Sequence, residues 1–131
     1  MSLNDEERAA LVALEMEKAQ KLLVDAEQIA ALQIWDTVAN RLYYAAFHAA
    51  SALMIHDGHP VNSHRGMVAM LGMHYVKAGI LSVDEGRLYS QLQTMRDKGD
   101  YNVGFNATAN DVQPFIELTK NFVAKIQFVV A

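Results

Sequence analysis

Asn40-Arg41-Leu42-Tyr43-Tyr44-Ala45-Ala46-Phe47-His48-Ala49-Ala50 constrains the fold more than any other stretch of this chain. Its alanines and leucine are strong helix formers. At roughly 100° per residue, Asn40, Tyr44, His48 and Ser51 share one narrow stripe, with Arg41 beside it. Trp35, Val38, Leu42, Ala45, Ala46, Ala49 and Leu53 fall on the opposite face. That apolar face needs other elements to cover it, and the alanines let a neighbouring helix approach closely.

The rest of the chain reads as helices of the same kind. Asn4 is a good cap, and Asp5, Glu6 and Glu7 after it favour the positive end of a helix dipole. Leu11, Leu14, Ala19, Leu22, Leu23, Ala26 and Ile29 continue at helical spacing, so a first helix is expected to about residue 30. A break near Gln33 leads into a second helix over about 35–56, which Asp57-Gly58-His59-Pro60 stops. Asn62 or Ser63 is expected to cap a third helix carrying Val68, Met70, Leu71 and Tyr75, with Gly79 at its end. Ser82 with Glu85 forms a capping box for a fourth helix with Leu88, Leu92 and Met95 on one side and its end near Gly99. Residues 101–107 read as a loop. A last helix starts between Thr108 and Asp111, with Pro114 expected about its first turn, because proline cannot donate a helical hydrogen bond. It continues through Phe115, Leu118, Phe122, Val123 and Ile126. Strand alternation bounded by hairpin turns is absent. The expected fold is an all-α antiparallel up-and-down bundle of four long helices and a shorter one, one domain over residues 1–131.

Just over half of the 131 residues are hydrophobic, enough for a real core. The net charge of −4 argues against broad nonspecific nucleic-acid binding but leaves room for a local basic site. Without cysteine, neither disulfides nor thiolate metal sites can form. The acidic start lacks the features of a secretory leader. The uncharged run from Leu42 to His56 falls short of the roughly 20 residues that a spanning helix needs. The expectation is a cytoplasmic protein without a membrane partner.

Four groups of residues carry chemistry. The stripe of Asn40, Arg41, Tyr44 and His48 reads either as a polar site at a cleft or as a hydrogen-bonded helix face. Arg41 and His48 are two turns apart, within reach of one phosphate. Arg96-Asp97-Lys98-Gly99-Asp100-Tyr101 is a dense charge cluster at a helix end, followed by a segment mixing aromatics and glycine. His64-Arg65 at a helix start offers backbone N–H groups and a guanidinium to a phosphate. His56, His59 and His64 lie close together around Pro60, but their spacing suits no helical ligand set, so no metal is expected. No cofactor motif, phosphate loop or nucleophile elbow is present. The seven methionines read as core filler.

Taken together, Asn40–Ala50, Ser63-His64-Arg65-Gly66, Gly86-Arg87-Leu88 and Arg96–Tyr101 resemble the HEPN family, in particular its small stand-alone prokaryotic members. The resemblance implies a helical bundle that pairs into a homodimer. It implies a gene neighbour encoding a minimal nucleotidyltransferase, with the HEPN protein as the toxin half of a toxin–antitoxin module. Catalytic members are metal-independent ribonucleases whose signature is an arginine followed, after four to six residues, by a histidine. Arg96 takes the arginine position here, but residues 101–103 are Tyr, Asn and Val.

That departure matters chemically. A phenol of pKa about 10 is roughly one part in a thousand ionised at pH 7, so Tyr101 makes a poor general base. On this resemblance Arg96 stabilises phosphate charge, and Tyr101 or His48 (or else His64) stands in for the missing histidine. Asn40, Arg41, Tyr44, His64, Arg65 and Asp100 are expected to line the ligand cleft. Tyr101 also matches the tyrosine that, in some toxins of the family, receives an adenylyl group from the partner nucleotidyltransferase. Three functions follow: a subunit that binds a nucleotide or RNA phosphate through a degenerate ribonuclease motif, an active ribonuclease with a substitute histidine, or a non-catalytic structural or partner-binding bundle.

Overall fold

A computed structural model of the chain describes residues 2–60 and 64–131. Five helices form α1 (Asp5–Ala31), α2 (Trp35–His56), α3 (His64–Leu71), α4 (Val83–Tyr101) and α5 (Ala109–Val130), and no strand occurs among the described residues. Four are long and α3 is short, as expected of the bundle. No helix among the described residues is long and apolar enough to cross a membrane.

Local chemistry sets the helix starts. Asn4, Ser82 and Thr108 each cap a helix and close a reciprocal box with Glu7, Glu85 and Asp111 three residues on. The α1–α2 turn is tight because Gln33 adopts φ 60°, a left-handed conformation that reverses the chain.

Helix α2 is the centre of the bundle and packs against α1, α4 and α5. Val38, Leu42, Ala45, Ala46, Ala49 and Leu53 are wholly buried, and so are Tyr43, Ala50, Ala52 and Met54 on other sides. The small side chains permit this: a helix enclosed on several sides needs close neighbours, and alanine costs the least separation.

Four local expectations change. On α1 Ala19, Leu22, Leu23 and Ala26 are buried in line with their helical spacing, but at the start of the helix, which is apolar on both sides, Val12 and Met16 are buried while Leu11 and Leu14 face solvent. Helix α4 runs through Gly99 to Tyr101; a Cβ on Gly99 would sit 3.7 Å from the Asp36 carboxylate, so this glycine lies against α2 instead of ending the helix. Pro114 is the sixth residue of α5, where it forfeits only the bond to the exposed Asn110 carbonyl. The third helix continues from Leu71 into a π-helical turn, Gly72–Val76, before Gly79 reverses the chain at φ 80°. Asn62 and Ser63, the expected caps of α3, lie outside the described residues.

Candidate anion-binding groove

The face that packs α4 against α2 carries Leu88, Tyr89, Leu92 and Arg96, so the hydrophobic periodicity of α4 brings a guanidinium into the bundle. Arg96 is only 9% exposed. Its Nε and Nη2 both donate to Asp97 Oδ1, at 3.0 and 2.5 Å, and its Nη1 donates to the Tyr44 hydroxyl at 3.0 Å. The Tyr43 ring lies under the guanidinium at 4.8 Å, with the rings of Tyr44 and Tyr101 at 5.7 and 5.8 Å. Burial by itself would lower the arginine pKa. The Asp97 and Tyr44 contacts outweigh it and leave the pKa raised, so the charge is permanent.

A guanidinium has five N–H donors. Three are engaged on Asp97 and Tyr44, which leaves one on Nη1 and one on Nη2. These two donors are the ones a guanidinium here can still offer to the oxygens of an anion such as phosphate. Arg96 lines an open groove of about 520 Å³ together with His64, Arg65, Gln93, Asp97 and Tyr101. Two permanent cations and an imidazole face a single carboxylate, which is itself paired. The groove is locally positive on an acidic chain.

His64 enters from the first residue of α3. Its Nδ1 lies 2.6 Å from the Tyr43 hydroxyl, and Phe47 flanks its ring at 4.1 Å. Burial, then the charges of Arg96 and His48, lower its pKa below the ordinary value, with Asp97 opposing. The lowered pKa favours the neutral imidazole at pH 7.

The other expected site residues part company. Tyr44 does not line the groove; its hydroxyl holds Arg96 and its ring meets the His64 ring edge-on at 5.6 Å. Asn40 Nδ2 donates to Asp100 Oδ2 at 3.2 Å and Arg41 Nη1 donates to Asn40 Oδ1 at 2.6 Å, a network that ties α2 to the end of α4 without lining the groove. His48 turns towards α1, where its Nδ1 lies 2.8 Å from Glu15 Oε2. The α2 stripe is thus divided, with Asn40 and Tyr44 bonded to α4 and His48 to α1. Tyr101 is on the groove rim and 74% exposed. His56 pairs with Asp57 and His59 stacks on His74 at 4.1 Å, away from His64. No group of three or more potential metal ligands forms among the described residues.

Asp97, Gln93, Tyr89 and Glu15 went unnoticed as site residues in the sequence. Asp97 had a signal, a carboxylate beside the motif arginine. Glu15 and Tyr89 had none, because their partners are 33 and 46 positions away.

Comparison with known proteins bears on what such a groove serves. The HEPN domain family matches residues 12–129. A UPF0332 protein of Thermotoga maritima is 26% identical over 92% of each chain. A protein of Methanocaldococcus jannaschii with the name "Putative toxin" is 28% identical over 95% of this chain and 92% of its own length. A UPF0332 protein of Archaeoglobus fulgidus is 28% identical over 86% of this chain and 94% of its own.

Proposed function

The chain belongs to the HEPN domain family, and from that premise we propose that it is a toxin-type subunit whose Arg96 groove binds the phosphate of a nucleotide or an RNA strand. The observation that carries this reading is the state of Arg96: buried, clamped by Asp97 and Tyr44, and left with two N–H donors beside an open groove. A clamped guanidinium loses little side-chain freedom when an anion arrives, so more of the contact energy appears as affinity. The name "Putative toxin" of the Methanocaldococcus relative supports the role.

In this reading the working form is a homodimer, which brings two copies of the groove to one assembly, and a minimal nucleotidyltransferase is its partner. Exposed Tyr101 on the groove rim is the acceptor for adenylylation. The bound phosphate sits where Arg96 and Tyr101 both touch it, so a modified Tyr101 would block the groove with its own phosphate.

One observation favours a second reading, cleavage of RNA with a substitute histidine. His64 and Arg96 share the groove, whereas His48 is held by Glu15. Equilibrium binding of adenosine monophosphate and of short single-stranded RNA by the wild type and by Arg96→Ala tests the phosphate reading, and electrophoresis of the RNA tests the cleavage reading. Binding that depends on Arg96 supports the first. Strand scission that depends on Arg96 supports the second.

A further inference from the structure

Two phenols and an imidazole form a line from the core to the groove. Tyr89 Oη lies 3.4 Å from Tyr43 Oη, which lies 2.6 Å from His64 Nδ1. Both tyrosines are fully buried, so each hydroxyl proton needs an acceptor inside the protein. Among the described residues the Tyr89 hydroxyl has Tyr43 Oη as its partner and donates to it. The Tyr43 proton then has His64 Nδ1 as its acceptor. Reversing the line would send a proton from His64 Nδ1 to Tyr43 and from Tyr43 to Tyr89, and would strand the Tyr89 proton in the core without an acceptor.

An unprotonated Nδ1 puts the proton of a neutral imidazole on Nε2. We propose that the Tyr89–Tyr43–His64 relay fixes His64 as an Nε2–H donor that clamps a phosphate together with Arg96, and not as a proton acceptor for RNA cleavage. The inference rests on the phosphate reading of the groove and adds the second arm of the site. Phe47 against the ring and the Gln93 side-chain bond to the His64 carbonyl at 3.4 Å hold the imidazole in place. The lowered pKa agrees with a neutral ring. The ligand chemistry is a phosphate group, on a free nucleotide or within a strand.

The test is long-range ¹H–¹⁵N spectroscopy of the full chain, titrated with inorganic phosphate, adenosine monophosphate or a short single-stranded RNA. The expected result is an Nε2-protonated His64 whose Nε2 resonance moves with ligand. A response to the mononucleotide but not the strand identifies a free nucleotide; the opposite identifies RNA. His64→Ala should weaken phosphate binding about tenfold, the scale of one hydrogen bond to an anion. His64→Gln, whose amide nitrogen stands near the Nε2 position, should retain most of the affinity, and His64→Asn should behave like alanine. Tyr43→Phe should release the ring to a mixture of tautomers. An Nδ1-protonated ring, unchanged binding in His64→Ala, or RNA cleavage lost in that variant overturns the inference. Binding unchanged in Arg96→Ala, or no binding by the wild type, overturns the phosphate reading beneath it whatever the tautomer.

Discussion

Arg96 on α4 and Tyr44 on α2 meet at 3.0 Å, guanidinium Nη1 to phenol oxygen, and this bond couples the groove to the central helix of the bundle. Tyr44 lies in the alanine-rich stretch that most strongly marks α2, and Arg96 in the charge cluster that ends α4. Neither makes a site alone. The bundle brings them together because Leu88, Tyr89 and Leu92 must be buried, and Arg96 follows on the same face. The core geometry and the polar geometry have one cause, so substitutions in either are felt in both.

Tyr44→Phe should destabilise the fold by about 1–2 kcal/mol, since it removes a hydrogen bond to a charged donor and keeps the ring. Urea unfolding of the variant beside the wild type reads this directly. An unchanged midpoint would mean that the bond contributes nothing.

Acid should weaken the bundle at the α4–α5 contact. Burial would raise the Glu85 pKa, but the bond from Lys125 Nζ at 2.6 Å and the capping contacts with Ser82 overcome that and lower it below its unfolded value of 4.5. A carboxylate with a lowered folded-state pKa adds stability above its unfolded pKa and loses it as pH falls through the folded one. Stability should therefore fall as pH drops below about 4.5, and Glu85→Gln should flatten part of that slope. Urea midpoints across pH 3–7 check it, and identical slopes in the two proteins would refute it.

Gly86→Ala should destabilise although alanine is the better helix former. A Cβ there would meet Val76 Cγ2 at 2.8 Å, where α4 presses on the π-helical turn. Overpacking of this size costs about 1–3 kcal/mol, more than the roughly 1 kcal/mol gained in propensity. Thermal unfolding decides the sign, and a higher midpoint would show that the turn yields.

Tyr101 should be the site of adenylyl transfer. In the proposed reaction its hydroxyl would attack the α-phosphorus of ATP, the new O–P bond replacing the bond to pyrophosphate and the phenolic proton going to solvent. On the proposed pairing with a minimal nucleotidyltransferase, incubation with that enzyme and ATP should add adenylyl mass to the wild type and none to Tyr101→Phe. Equal labelling of the two would remove the assignment.

Much of this was legible in the sequence, for physical reasons that name its limits. The box of Ser82 with Glu85 and the bounds of α2 depend on neighbours within a turn, and they appear as expected. The core side of α1 is legible from Ala19 to Ala26 but not at its start, because Leu11 and Leu14 are as apolar as Val12 and Met16 and only the position of α2 distinguishes them. Gly99 read as a stop because glycine weakens helices, whereas the close Asp36 side chain gives it a packing role. The site divided similarly. Arg96, Tyr101, His64 and Arg65 share the groove as a motif reading implied, but His48 is turned away by Glu15, and the Tyr89–Tyr43–His64 line joins residues that no local pattern connects.

The central claim is that Arg96 anchors a phosphate. Titration of fluorescein-labelled single-stranded RNA and, in parallel, of adenosine monophosphate into wild type and Arg96→Ala, at two salt concentrations, tests it most directly. The account predicts salt-sensitive binding of at least one of the two ligands by the wild type and at least a tenfold loss in the variant, the scale of a charged hydrogen-bond pair. Equal affinity in the two proteins, or no binding by the wild type to either ligand, would contradict it.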